Sequence, residues 1–318
     1  MRSSSSGSDM EFYHRPVMLE EVIAGLELKP HGVYFDGTVG GGNHSYEILR
    51  REPTARLIAT DKDGEAIKAA SKRLAPFAGR FSIYRTDFKN YAKVFAEEKV
   101  TKIDGFLIDL GISSWQIDSE ERGFAYTKPN APLDMRMDTS KPFSAKDVVN
   151  SYGEVELIRI LREYGEEQYA WPIAKSIIRA REQGEIRTCG QLRQIVEDCY
   201  PARYRTPACA KQVFQAIRIE VNGELDGLEQ CIKGLLRSLK SGGRGCVLTF
   251  HSLEDRIVKR VFRELSMECT CPKTFPICVC GKKKEIEEIG RKPATASEQE
   301  VKENSRSKCA KLRIARKI

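Results

Sequence analysis

The chain has 318 residues, 53 Lys and Arg against 45 Asp and Glu, and a formal net charge of +8. Hydrophobic residues make up 41%, enough for a real core, which excludes wholesale disorder; no apolar run is long enough to span a bilayer as a helix. Ten cysteines, the first at Cys189 and with no secretory signal before them, exclude a disulfide-stapled secreted scaffold and fit a reduced, cytoplasmic setting.

Residues 1–11 begin with a Ser-rich polar stretch, MRSSSSGSDM, which reads as a disordered leader. Strand-like and helix-like segments then alternate. Helical periodicity covers 17–28, and Val33-Tyr34-Phe35-Asp36 is a short strand running into a glycine loop. A helix over 44–51, a strand over 56–61, a helix over 64–75, a strand over 81–84 and a helix near 91–99 follow. Residues 103–110 form a fourth, strongly apolar strand. Apolar strands separated by amphipathic helices predict an α/β fold with a parallel sheet covered on both faces.

The alternation stops near Asp118. Residues 118–152 read as loop, with Pro129, Pro132 and Pro142, and helical patterns follow near 154–164, 166–181 and 191–199. This predicts an all-helical insertion over 119–206, between a first α/β part at 12–118 and a second at 207–318. The second part holds a helix pair over 208–239, a strand at 245–250 and a last strand at 311–315. From Arg306 to the end there are six basic residues and no acidic one, a tail whose charge suits a phosphate backbone.

The loop Asp36-Gly37-Thr38-Val39-Gly40-Gly41-Gly42-Asn43-His44 joins the first strand to the first sheet helix. Glycines there permit positive φ and close approach of a ligand. The loop is neither a P-loop nor a clean GxGxxG fingerprint, and a tight strand-to-helix turn explains it equally well. Asp61 ends the second strand, where an acidic residue accepts hydrogen bonds from a ribose such as that of adenosylmethionine; it is also placed to cap a helix. Phe88 follows the third strand and can flank an adenine. Asp109 ends the fourth. All four positions lie at carboxyl ends of parallel strands, where open α/β sheets bind ligands.

These residues carry a resemblance. Tyr13-His14-Arg15-Pro16-Val17-Met18-Leu19, DGTVGGGNHS, the run from Ile108 to Asp118 (IDLGISSWQID), Glu121-Arg122-Gly123-Phe124 and Pro132-Leu133-Asp134-Met135-Arg136-Met137 belong to it. So do Tyr164-Gly165-Glu166-Glu167, Phe214-Gln215-Ala216-Ile217-Arg218, the run from Phe250 to Arg256 (FHSLEDR), and KLRIARK. In this order they resemble the RsmH (MraW) family of 16S rRNA cytosine-N4 methyltransferases. The resemblance implies a class I (Rossmann-like) S-adenosylmethionine-dependent methyltransferase fold with an inserted all-helical domain, the insertion serving RNA recognition. It implies transfer to the N4 amine of a cytosine in the decoding region, within the small ribosomal subunit. It also implies that Gly42, Asn43, His44, Asp61, Phe88, Asp109 and Gln116 line the donor site. Asn43 stands where the family usually has glycine, and Asn tolerates a left-handed backbone. Trp115 replaces a usual proline.

Methyl transfer to an amine depends on alignment. The cytosine amine is a poor nucleophile because its lone pair is delocalised into the ring, and an acceptor for its N–H would localise that pair. DNA amino-methyltransferases use a motif with Pro-Pro there; this chain has no Pro-Pro, and Asp109-Leu110-Gly111-Ile112-Ser113-Ser114 occupies the place. Asp109 or the nearby backbone is the candidate for orienting donor and amine, against the alternative that Asp109 only shapes the donor pocket. Carbon-5 chemistry would need a nucleophilic cysteine in a Pro-Cys motif, and none of the 13 prolines precedes a cysteine. A non-catalytic RNA-binding assembly factor and a DNA amine methyltransferase are the alternative readings. Phe124 and Tyr126 are candidates to stack on the target base, or else core residues. Ser252 reads as a helix cap with Asp255 three residues on, leaving His251 open.

Cys269-Thr270-Cys271 and Cys278-Val279-Cys280 form CxC-x6-CxC. Four thiols at this spacing can hold a tetrahedral zinc; free surface thiols or a disulfide are the alternatives. Gly281-Lys282-Lys283-Lys284 follows directly, a charge run suited to RNA or to solvent.

Overall fold

A computed structural model describes residues 16–272 and 277–318. The leader and the Tyr13-His14-Arg15 part of the first motif lie outside the described residues. In chain order the elements are α1 (Leu19–Leu26), β1 (Val33–Asp36), α2 (Asn43–Arg51), β2 (Arg56–Asp61), α3 (Gly64–Leu74), β3 (Phe81–Arg85), α4 (Tyr91–Glu97) and β4 (Ile103–Asp109). Then come α5 (Ser114–Asp118), α6 (Ala145–Ser151), α7 (Glu154–Glu163), α8 (Ala170–Gln183), α9 (Cys189–Asp198), α10 (Lys211–Asn222) and α11 (Leu228–Ser238). The chain ends with β5 (Leu239–Thr249), α12 (Ser252–Ser266), β6 (Ile286–Thr295), α13 (Glu298–Glu303) and β7 (Lys311–Lys317). No helix among the described residues is long and apolar enough to cross a membrane.

The strands form one sheet in the order β3-β2-β1-β4-β5-β7-β6. The pairs β1–β2, β2–β3, β1–β4 and β4–β5 are parallel, and β6–β7 is antiparallel. β4 is buried along all but its last residue, as a central parallel strand covered on both faces must be. The strand order reverses between β1 and β4. That is the switch point of an open α/β sheet, where a crevice forms outside the carboxyl ends.

The chain divides into two compact units. One comprises 1–109, 235–248 and 266–318; the other comprises 110–234 and 249–265. The second therefore exceeds the 119–206 insertion read from sequence and is built from two stretches of chain. It has its own apolar core, including Leu133, Met135, Val148, Leu157, Ile160, Ile173, Leu192 and Phe214.

Some features depart from the sequence reading. The stretch read as loop contains α6, which a capping box starts: Ser144 N–H donates to Asp147 Oδ2 at 2.7 Å. Its buried face is Ala145, Val148 and Val149, too short an apolar pattern to stand out. β6 is unexpected because only its first residue, Ile286, is buried. It exists by pairing with β7, with a register break between Ile289 and Ala294 that holds Pro293. The C-terminal tail is that partner strand. Arg316 pairs with Glu287 at 2.5 Å, Lys317 lies 3.9 Å from Glu285, and Arg313 is buried, so part of the basic charge is already used within the fold.

Gly123 holds the entry to the helical unit. It closes the turn Glu120–Arg122 at φ +68°, and a Cβ there would lie 2.1 Å from the Pro132 carbonyl oxygen. Arg122 beside it is buried and donates to the Arg136 and Met137 carbonyls at 2.9 and 3.0 Å. Gly123→Ala is expected to lower unfolding free energy by about 3 kcal/mol or more, since left-handed backbone and a backbone clash combine. Gly79→Ala, at φ +82° with nothing within 4 Å of the added methyl, should cost only about 1–2 kcal/mol. Urea denaturation of both variants checks the contrast; equal losses would remove the clash from the account.

Candidate functional site

The loop after β1 is laced to its neighbours by backbone bonds. Gly37 N–H donates to Leu107 O on β4, and Val39 N–H to Thr60 O on β2, each at 2.9 Å. A Cβ on Gly37 would fall 2.3 Å from Ile108 Cδ1 and 2.8 Å from Phe88 Cβ, so only glycine lets the loop lie this close to β4 and Phe88. Gly42 takes φ +79° as the N-cap of α2, and its Cβ would sit 3.1 Å from Ala70 Cα on α3. Asn43 needs no left-handed tolerance. It is the first residue of α2, and the positive φ values of this loop belong to Gly40 and Gly42.

Carboxylates fix the strand ends. Asp61 takes the Gly40 N–H on Oδ2 at 2.8 Å and the Asp63 N–H on Oδ1 at 2.9 Å, and burial raises its pKa. The capping role that Asp61 could have had falls to Asp63, which accepts from Glu65 N–H at the start of α3. Asp36 is fully enclosed, and burial pushes its carboxyl up to about 6 against the Ser45 hydroxyl (2.6 Å) and the Thr38 N–H (3.1 Å). Asp87 caps the short turn that carries Phe88; burial works to raise it, but Lys62 at 2.8 Å outweighs that and holds it low.

Asp109 is anchored by its backbone: its N–H donates to Thr38 Oγ1 at 2.7 Å. His44 Nδ1 lies 4.0 Å from Asp109 Oδ2. This is not an ion pair. Burial pushes the His44 imidazole down to about 4, so the ring is neutral at neutral pH. Its Nε2 lies 3.1 Å from the Val17 carbonyl, which can only accept; that fixes the proton on Nε2 and turns the lone pair of Nδ1 toward Asp109.

Gly42, Asn43, His44, Asp61, Phe88 and Asp109 thus gather at the carboxyl ends of β1–β4. Gln116 belongs to the other unit. It is buried and completes the capping box of α5, with Ser113 N–H donating to Gln116 Oε1 at 3.0 Å and Gln116 N–H to Ser113 Oγ at 3.2 Å. Phe124 is buried, and Tyr126 meets Phe214 edge-on at 6.0 Å; both pack with the helical core, which accounts for them without a base to stack on.

The cap of α12 lies one residue before the position read from sequence. His251, not Ser252, takes the N-cap role: Glu254 N–H points at His251 Nδ1 (3.4 Å), while Glu254 Oε2 accepts from Phe250 and His251 N–H at 2.9 and 3.3 Å. Ser252 instead donates to Glu166 Oε2 at 2.7 Å. Glu254 is wholly buried. Burial acts to raise its pKa, but the His251 ring at 3.1 Å, with Arg218 and the Phe250 N–H, holds it below the ordinary carboxylate value. Glu224 lies close enough to share a metal with His251 and Glu254, yet Arg218 already grips it with two bonds of 2.8 and 2.9 Å. The group is better described as a hydrogen-bonded network than as a metal centre. Sequence reading missed it because Arg218, Glu224 and Glu254 each look like solvated helix charges.

The strand-end residues suit adenosylmethionine by their chemistry. Asp61 keeps further lone pairs for a ribose diol, the start of α2 offers positive dipole to a carboxylate, and the acidic rim suits the cationic ammonium and sulfonium. Residues 11–318 match the profile of the MraW methylase family. A ribosomal RNA small subunit methyltransferase H 2 from Agathobacter rectalis is 48% identical over 97% of this chain and 99% of its own length. Relatives named ribosomal RNA small subunit methyltransferase H from Symbiobacterium thermophilum and Carboxydothermus hydrogenoformans are each 49% identical over 97% of this chain, and over 98% and 99% of their own.

The protonation of His44 has a sign that can be measured. Between its ordinary value of 6.5 and about 4, the unfolded chain holds a proton that the folded chain does not. His44 therefore contributes stability above pH 6.5 that is lost as pH falls toward 4. Histidine NMR across this range should show His44 neutral and Nε2-protonated down to about pH 4. A midpoint at about 6 or above would mean that it is charged against Asp109.

Proposed function

The chain belongs to the MraW methylase family and is an S-adenosylmethionine-dependent methyltransferase, and on that premise we propose that it methylates the N4 amine of a cytosine in the decoding region of 16S rRNA. The observation that carries the reading is the full-length match to relatives named for the small subunit. The acceptor is then RNA within that subunit, and the place of action the cytoplasm.

Bound adenosylmethionine supplies an electrophilic methyl on a positively charged sulfur. Asp61 binds the ribose diol, held still by the Gly40 and Asp63 N–H groups. Gly42, Asn43 and His44, at the start of α2, receive the amino-acid end, and Phe88 flanks the adenine. Gln116, in the other unit, shapes the turn into α5 with its carbonyl. Asp109 stands at the reacting end of β4. Its carboxylate accepts an N–H of the target amine and turns the nitrogen lone pair out of the ring plane toward the methyl. Neutral His44 brings no positive charge that would compete for Asp109. Transfer would bond nitrogen to the methyl carbon as the carbon–sulfur bond breaks, leaving a neutral thioether, and one amine proton would pass to solvent or to the Asp109 carboxylate.

The helical unit carries surface features suited to RNA. Trp171 is 51% exposed with Lys175 Nζ 3.8 Å from its ring centroid, and Tyr204 is 53% exposed with Arg203 at 4.7 Å. An exposed ring beside a cation stacks on a base and attracts its phosphate.

The test is a transfer assay with labelled adenosylmethionine and small subunits from cells lacking this enzyme, the product mapped by mass spectrometry. Label on cytosine N4 of 16S rRNA is expected; label elsewhere, or donor binding without transfer, overturns the proposal. In the same assay Asp61→Ala should raise KM for the donor about 10–100-fold with little change in kcat, as loss of uniform binding does. Asp109→Asn should lower kcat about 100-fold at saturating donor. Near-normal turnover in that variant would reduce Asp109 to shaping the pocket.

A further inference from the structure

Between α12 and β6 the described chain forms neither helix nor strand and has almost no apolar anchor. Met267, Ile277 and Val279 are 39%, 74% and 72% exposed. Yet Cys269, Cys271, Cys278 and Cys280 converge here. All four sulfurs lie within 4.8 Å of one another, and all ten cysteines of the chain are free thiols. Cys269 and Cys278 are 3.3 Å apart, Cys278 and Cys280 3.5 Å, Cys269 and Cys280 3.8 Å, and Cys271 and Cys278 4.0 Å. A tetrahedral zinc with sulfur at about 2.3 Å requires sulfur–sulfur edges of about 3.8 Å. The backbone is arranged for thiolates as well. Cys271 N–H points at Cys269 Sγ at 3.3 Å, while Thr270 and Val279 N–H point at Cys280 and Cys271 Sγ at 3.4 Å. Among the described residues hydrophobic burial does not explain this convergence, because Met267, Ile277 and Val279 are exposed.

We infer that these four cysteines form a structural, all-thiolate zinc site that pins the connection between α12 and β6. Zinc is favoured over the harder divalent ions by the all-sulfur donor set, and over a catalytic role by the absence of a non-protein position once four thiolates bind. Binding releases the thiol protons to solvent and leaves two net negative charges on the centre. Lys282, Lys283 and Lys284 follow at once and offset them. The anchored segment leads into β6; just before it Glu285 is held by Arg237 through two bonds of 2.9 Å, and within it Glu288 accepts from Ser266 at 3.3 Å. The metal thus supplies the fixed point that an apolar cluster would supply in a larger loop.

The experiment is metal analysis of the full chain, purified without chelator or affinity metal from zinc-supplemented cells. About one zinc per chain is expected, falling to about 0.1 or less in Cys278→Ser/Cys280→Ser and unchanged in Cys309→Ser, whose exposed thiol lies outside the cluster. Cobalt exchanged into the wild-type protein should give the intense visible bands of a tetrahedral thiolate site, a readout that does not depend on the variant folding. Chelation should open the chain to trypsin after Lys282 to Lys284 while α1–α4 resist. Zinc-free protein in which all ten thiols titrate on denaturation, a mass two or four units low from disulfides, or zinc retained in the double variant would each overturn the site. None of these outcomes bears on which base is methylated.

Discussion

Asp61 accepts the Gly40 N–H on one oxygen and the Asp63 N–H on the other, and the geometry of the glycine loop at the candidate site follows from that carboxylate. A loop with four glycines would otherwise sample many shapes. Here the end of β2 holds its middle, Gly37 and Val39 tie it to β4 and β2, and Thr38 Oγ1 receives the Asp109 N–H. Three strand ends are thereby fixed relative to one another before a ligand arrives. Such preorganisation matters most for a displacement whose rate depends on alignment.

The electrostatics follow from burial more than from pairing. Asp36 is enclosed with Ser45 and Thr38 and serves the loop rather than a ligand. Lys62 offsets Asp87, and burial empties His44 of charge. Asp61 and Asp109, at the ends of β2 and β4, place two carboxylates at the rim of the candidate site. In the helical unit a comparable economy holds Glu254 ionised inside a core, between His251 and Arg218.

Much of this was legible in the sequence. Val33–Asp36 and Arg56–Asp61 are apolar runs bounded by Gly, Pro and charged residues, and both strands fall where the pattern places them. The same periodicity located Gly42, Asp61, Phe88 and Asp109 at strand ends, because a parallel sheet puts every such end on one side. What escaped was structure created by partners. β6 is polar and carries a proline, and is a strand only through β7. α6 is too short for its apolar pattern to register. The cap at His251 was displaced by one residue because a histidine there lacks the Ser or Thr signal, although Glu254 three positions on was the other half of the box. Phe124 and Tyr126 were ambiguous for a different reason: aromatic side chains serve cores and bases alike, and only packing decides.

The division of the chain into 110–234 plus 249–265 on one side and the remainder on the other has a consequence for biosynthesis. β4 emerges from the ribosome as a complete, largely apolar strand, but its partner β5 lies on the far side of the helical unit in sequence, with Ile103 pairing Leu239. During that interval the growing polypeptide carries an open hydrophobic sheet edge, the kind of surface that invites mispairing with another nascent chain. Rapid local folding of α6–α10 shortens the wait without closing the edge, since only β5 can do so. Nor can the helical unit be removed as a cassette: excising 110–234 leaves α12 behind without its partners. An excision that respected the units would have to take two separate stretches of chain.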